Sequence, residues 1–166
     1  AFGESHGRGA LSRREQGAAG IRVAPLHPME NICAILTAEH KIILTRLEVL
    51  EAALDRGSKP EVQGVLAFFD REVAQHRRKE EEVLFPELEG HFPPGVGPVS
   101  MMRAEHEAER GLLQAICAGI VSNAWAEIER PGRDLLVLLR NHIWKEDNVL
   151  FEMADSILDA DARARV

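Results

Sequence analysis

The sequence predicts an all-α chain, folded as an antiparallel up-down four-helix bundle built from a duplicated helical hairpin. Four long stretches repeat apolar residues at helical spacing, and none shows sustained strand alternation. Short Pro- and Gly-marked connections separate them, which favours antiparallel neighbours. One string of residues also occurs twice. His76-Arg77-Arg78-Lys79-Glu80 leads into Val83-Leu84-Phe85, and His142-Ile143-Trp144-Lys145-Glu146 leads into Val149-Leu150-Phe151.

Pro28 suits a first helical position, so the first helix is expected from there to about Arg56, with Gly57 ending it. Its stripe includes Leu36, His40, Ile43 and Leu47. The second helix is expected from Pro60 to near Gly90, along Val62, Val65, Phe69, Val73, His76, Glu80, Val83 and Leu84, with Pro86 kinking or ending it. A Gly/Pro-rich loop containing His91 follows. The third helix runs from about Pro98 to Val121 along Val99, Met102, His106, Leu113, Ile116, Cys117 and Ile120, with Ser122-Asn123 as its stop. A short piece, 124–129, is expected before a break at Pro131-Gly132. The fourth helix then covers about Arg133 to Phe151 along Leu135, Leu139, His142, Glu146, Val149 and Leu150, with a short turn after it.

The chain of 166 residues divides into residues 1–27, a flexible Gly- and Arg-containing segment, and residues 28–166, the bundle. A net charge of −7 argues against nucleic acid and against a polybasic membrane anchor. No apolar run reaches the roughly 18 residues of a membrane span, and the N-terminus lacks the apolar core of a signal peptide. Two cysteines make no disulfide framework, so a reducing, cytoplasmic setting is expected.

The two halves carry the chemistry. His40 and His106, His76 and His142, and Glu80 and Glu146 are each 66 residues apart, and Glu39/Glu105 and Lys79/Lys145 keep the same offset. A histidine and a glutamate four residues apart leave one helix face. Packing the hairpins about an approximate two-fold axis brings His40, His76, Glu80, His106, His142 and Glu146 to one level. That set suits two metal ions, each with two histidines, bridged by both glutamates and by an oxo or hydroxo group, leaving one open position each. Imidazole with carboxylate suits iron, with manganese or zinc as alternatives. Any one of these residues by itself reads as an ordinary hydrogen-bonded core histidine. All six together, without metal, would leave buried polar groups unpaired at a cost of about 1–3 kcal/mol each.

The pattern His40 … His76-x-x-x-Glu80 … His106 … His142-x-x-x-Glu146 resembles the hemerythrin-like HHE cation-binding family over about residues 28–155. The resemblance implies a non-haem di-iron centre that binds or reacts with a small diatomic or peroxide ligand: O₂, NO or peroxide. Arg110 stands where the oxygen-carrying members have a further histidine, and an arginine does not ligate metal. The set is closer to the iron-repair and nitric-oxide-responsive members. Asp147 matches the carriers' aspartate and competes with Glu146, which the internal repeat favours. Alternatives are an O₂-storage protein, an interaction module with structural metal, and a metal-free helical domain. The N-terminal string Phe2-Gly3-Glu4-Ser5-His6-Gly7 also resembles a short chorismate synthase signature, which nothing later in the chain extends.

Neighbouring residues have plainer expectations. Glu39 and Glu105 point about 100° from the histidine beside them and read as surface acids, or else as acceptors orienting an imidazole. Glu109 and Arg110 read as edge charges paired with each other or nearby acids, the alternative being an extra ligand and an anion-steadying cation. Arg77, Arg78 and Lys79 read as a solvated face, Trp144 as packing or surface, Cys33 and Cys117 as buried and inert, and His6, His27 and His91 as non-ligands.

Overall fold

All four amphipathic stretches are helical in the computed structural model, which describes residues 32–159 and 162. Helix α1 covers Ile32–Asp55 and stops at Gly57, whose φ of 64° lies in the left-handed region that favours glycine. Helix α2 (59–89) is one unbroken run. Within it, α-helical Lys59–Phe68, Ala74–Lys79 and Phe85–Glu89 alternate with π turns Phe69–Val73 and Glu80–Leu84. Helix α3 covers Pro98–Ser122 and ends at left-handed Asn123, φ 57°. Helix α4 (125–157) joins Trp125–Lys145, a π turn Glu146–Leu150 and Phe151–Ile157. There is no strand among the described residues. Each helix packs on its two sequence neighbours, with α4 returning to α1, as an up-down bundle requires. The expected start at Pro28, the segment 1–27, and His6 and His27 lie outside the described residues.

Three expectations are corrected. Pro86 does not end α2, which runs on to Glu89. It follows the π turn Glu80–Leu84, where the i→i−4 ladder is already interrupted and a missing N–H matters least.

Nor does α4 break at Pro131-Gly132; the helix starts at Trp125 and carries Pro131 inside it. Pro131 cannot donate to the Glu127 carbonyl, and that carbonyl lies against Gly119 of α3. A Cβ built on Gly119 would stand 2.7 Å from the Glu127 carbonyl carbon and 2.8 Å from its oxygen. Only a residue without a Cβ at 119 lets the two backbones approach this closely.

The third correction is the register beyond the repeated glutamates. Val83 and Val149 were expected in the core, yet Val149 is 49% exposed. Leu84 and Leu150, also on the expected stripes, are buried; a π turn carries one extra residue, which brings Phe85 and Leu88, and Phe151 and Ala154, inside beside them.

The core is divided. One apolar cluster gathers Leu47, Leu50, Val62, Phe69, Ile116, Leu135 and their neighbours; the other gathers Leu36, Leu84, Phe85, Leu88, Met102 and Leu150. A layer of buried polar residues lies between them: His40, His76, Glu80, His106, Glu109, His142 and Glu146.

Candidate metal centre

Each helix supplies this layer from its inward stripe: His40 from α1, His76 and Glu80 from α2, His106 from α3, His142 and Glu146 from α4. Both glutamates are the first residue of a π turn. Each therefore keeps α-helical spacing to its histidine, while the apolar residues after it are re-aimed toward the second cluster.

The inward atoms converge. Nε2 of His40 and His76 lie 3.1 Å apart, and Nε2 of His106 and His142 3.2 Å apart. Glu80 spans the two pairs, with Oε1 at 2.9 Å from His76 Nε2 and Oε2 at 3.2 Å from His106 Nε2. Glu146 spans them the other way, with Oε2 at 3.2 Å from His40 Nε2 and Oε1 at 3.3 Å from His142 Nε2. Two four-residue groups result, His40/His76/Glu80/Glu146 and Glu80/His106/His142/Glu146, each with its donor atoms within 4.8 Å of one another.

The outer nitrogens decide what these atoms can do. His40 Nδ1 donates to Asp147 at 2.8 Å, His76 Nδ1 to Glu39 at 2.9 Å, His106 Nδ1 to Glu81 at 2.8 Å, and His142 Nδ1 to Glu105 at 2.9 Å. A carboxylate accepts, so each ring carries its proton on Nδ1 and turns the Nε2 lone pair inward. There, four lone pairs meet four carboxylate oxygens, and no hydrogen bond reaches any of those oxygens. Acceptors facing acceptors in a buried layer require cations between them. The donor set, two imidazoles and two shared carboxylates per group, fits a pair of divalent or trivalent ions.

Without metal, protons take that role. Burial opposes a charge on His142, but Glu146 and Glu105 outweigh it and the imidazole is pushed up to about 9. His76 is raised in the same way, burial being outweighed by Glu80 and Glu39. Burial would raise Glu146, yet His142 and His40 hold it well below the usual carboxylate range. Burial likewise acts against Glu39 and Glu81, and their cationic neighbours still hold both down: Lys79 and His76 for Glu39, His106 and Arg110 for Glu81.

The repeat extends beyond the inner six. Glu39 and Glu105 each hold the histidine of the next helix and are each paired with a lysine, Lys79 and Lys145. Glu81 and Asp147, 66 apart, serve His106 and His40. Phe85 stacks on His106 and Phe151 on His40, both with ring centroids 5.6 Å apart, closing the layer toward the second apolar cluster.

Several neighbour expectations change here. Glu39 and Glu105 are not surface acids: pointing away from the adjacent histidine aims each at another helix. Asp147 faces outward to His40 and Thr37 and lies outside the inner groups. Arg77 is not solvated; it donates to buried Glu109 at 2.6 Å. Burial pushes the Glu109 carboxyl up, against the pull of Arg77. Lys79 pairs with Glu39, whereas Arg78 stays at the surface with Glu82. Arg110 pairs with Glu107 and Glu81, as acids at the bundle edge allow. Cys33 is buried, its thiol pushed up to about 11 by burial and then by Asp155, but Cys117 is exposed, on the outer side of the α3 stripe. Trp144 and His91 are exposed. Glu81 carried no prediction, although its 66-residue offset from Asp147 was available as a signal.

A helical bundle with a layer of four histidines and two carboxylates defines a class of cation-binding proteins. The hemerythrin HHE cation-binding domain model matches residues 31–154, and the chain belongs to that family. It is similar to the iron-sulfur cluster repair protein YtfE of Escherichia coli O157:H7, 29% identical over 149 residues, covering 80% of this chain and 68% of the relative. YtfE of E. coli strain K12 / DH10B and of Shigella boydii serotype 18 are each 30% identical over 125 residues, covering 69% of this chain and 56% of the relative. Against these two the match spans little more than half of the relative's length. No solved structure matches the chain significantly. No helix among the described residues is long and apolar enough to cross a membrane.

Proposed function

We propose that the chain holds two iron ions. His40 and His76 serve one, His106 and His142 the other, and Glu80 and Glu146 are shared between them. The observation that carries this is the set of four buried carboxylate oxygens without a donor, facing four imidazole lone pairs. Iron is favoured over zinc or manganese by the mixed imidazole and carboxylate set and by the repair function in the relatives' name. When bound, such a centre supplies redox chemistry toward O₂, NO or peroxide at an open position. The chain's own residues orient the imidazoles through Glu39, Glu81, Glu105 and Asp147. Phe85 and Phe151 keep water from one side.

The similarity to iron-sulfur cluster repair proteins favours iron handling under nitrosative or oxidative stress over reversible O₂ carriage, and Arg110 in place of a further histidine agrees with this. The test is to add the iron-loaded protein to an iron-sulfur enzyme whose cluster NO or peroxide has damaged. Recovery of that enzyme with the wild-type chain, and none with His76→Ala, is the expected result. Equal recovery with both would refute the reading.

A further inference from the structure

Ile43 and Glu109 hold equivalent places in the two hairpins, and so do Arg77 and Ile143, each pair 66 residues apart. Around the inner layer the repeat is otherwise well kept, but here an apolar pair, Ile43 with Ile143, is exchanged for a salt-bridged pair, Glu109 with Arg77. The two positions differ between the halves as a pair, and the charges are complementary. Glu109 is 1% exposed. Arg77 holds its Oε1, and Oε2 is buried with no hydrogen-bond partner. The carboxylate lines a cavity of about 10 Å³ beside His76, His106 and His142, on the side of the layer opposite the Phe85 and Phe151 rings. That volume suits roughly one water-sized molecule. The remaining lining is apolar and comes from both halves, with Val73 and Leu139 as equivalent residues, and the cavity borders one histidine of the first pair, His76, and both of the second.

We infer that this cavity is a ligand subsite and that Glu109, positioned by Arg77, selects a small protic oxygen ligand such as hydrogen peroxide or water over aprotic NO and O₂. Only a protic ligand can donate to the unpaired Oε2. Hydrogen peroxide both donates and accepts, so it satisfies that oxygen whichever form the carboxyl takes. NO and O₂ leave a buried acceptor unmet, which binding penalises. Ile43 and Ile143 give no such discrimination on their side.

The inference rests on the proposed centre, and the tests separate the two. Metal content per chain reports on the centre alone. The subsite is read first in crystals of the metal-free protein, where an ordered water within about 3.2 Å of Glu109 Oε2 is expected. In Arg77→Ile/Glu109→Ile, which copies the other half, that water is lost. The second readout is the rate of hydrogen peroxide consumption divided by the rate of NO association, in iron-loaded protein. This ratio falls by about tenfold or more in the double variant, the size expected for one hydrogen bond to a charged acceptor. Glu109→Gln keeps the shape, and with Arg77 on its oxygen it turns an NH₂ toward the cavity; hydrogen peroxide accepts from it, so this variant keeps most of the preference. A dry wild-type cavity, or a ratio that stays within about twofold in the double variant, overturns the inference whether or not the protein holds metal.

Discussion

Glu80 and Glu146 are held facing the Nε2 atoms of four buried histidines, and those histidines are held there by four further acids. Two predictions follow at this scale. Glu105→Leu removes the acceptor of His142 Nδ1 without touching the inner set, and metal affinity falls by about 10–100-fold, measured by chelator competition. An unchanged affinity would mean that ring orientation is fixed by packing alone. The second concerns pH in the metal-free protein. The folded His142 lies at about 9, above its unfolded value near 6.5, so its contribution is complete below about 6.5 and lost as pH rises through 9. A shift of that size is on the order of 3 kcal/mol. Urea unfolding of the metal-free chain at pH 6 and pH 9.5 should show the loss, and His142→Gln should reduce it, His76 being raised in the same direction. The meeting of the inner six side chains at one level was legible in the sequence because a constant offset and helical spacing are both one-dimensional signals. Glu39 and Glu105 were misjudged because a helical wheel relates an acid only to its own helix. The partner it serves is across the bundle, and that is set by packing.

Among the helices, the π turns and the α3–α4 contact have the largest consequences. The glutamate that starts each repeated π turn keeps its spacing to the histidine, and the extra residue re-aims the apolar side chains behind it. A strict 3.6-residue period cannot reveal such an insertion, which is why Val83 and Val149 were placed inside and Phe85 and Phe151 were not read as lids. Pro131 was read as a boundary for a similar reason: local propensity marks it as a break, and tertiary contact with Gly119 overrides it. Gly119→Ala should therefore destabilise the fold by about 1–3 kcal/mol, because its Cβ would meet backbone that cannot yield. Gly111→Ala, in the same helix with no atom within 4 Å of an added Cβ, should instead stabilise by about 0.5–1 kcal/mol. Chemical denaturation of both variants checks the contrast in sign; equal gains would show that the close approach is absent.

The whole molecule is two apolar cores joined through a polar layer. The four helices and their up-down order follow from amphipathic stripes and short connections and were legible in the sequence, apart from the N-terminal bound of α4, which was placed near Arg133 and lies at Trp125. What the sequence did not disclose is that the layer splits the core, so that both halves of the bundle meet across charged groups. Ions in that layer stabilise the folded state by mass action, about 2.7 kcal/mol at a free concentration one hundred times the dissociation constant. Removing metal with a chelator should lower the melting temperature by several degrees, and re-adding ferrous iron should restore it. His76→Ala should show no such response.

The most direct test is iron content per chain in freshly purified protein, read together with an anomalous-scattering map at the iron edge. The account predicts two irons, one in contact with His40 and His76 and one with His106 and His142, with Glu80 and Glu146 touching both. A single ion, or two ions lying away from these six side chains, would contradict it.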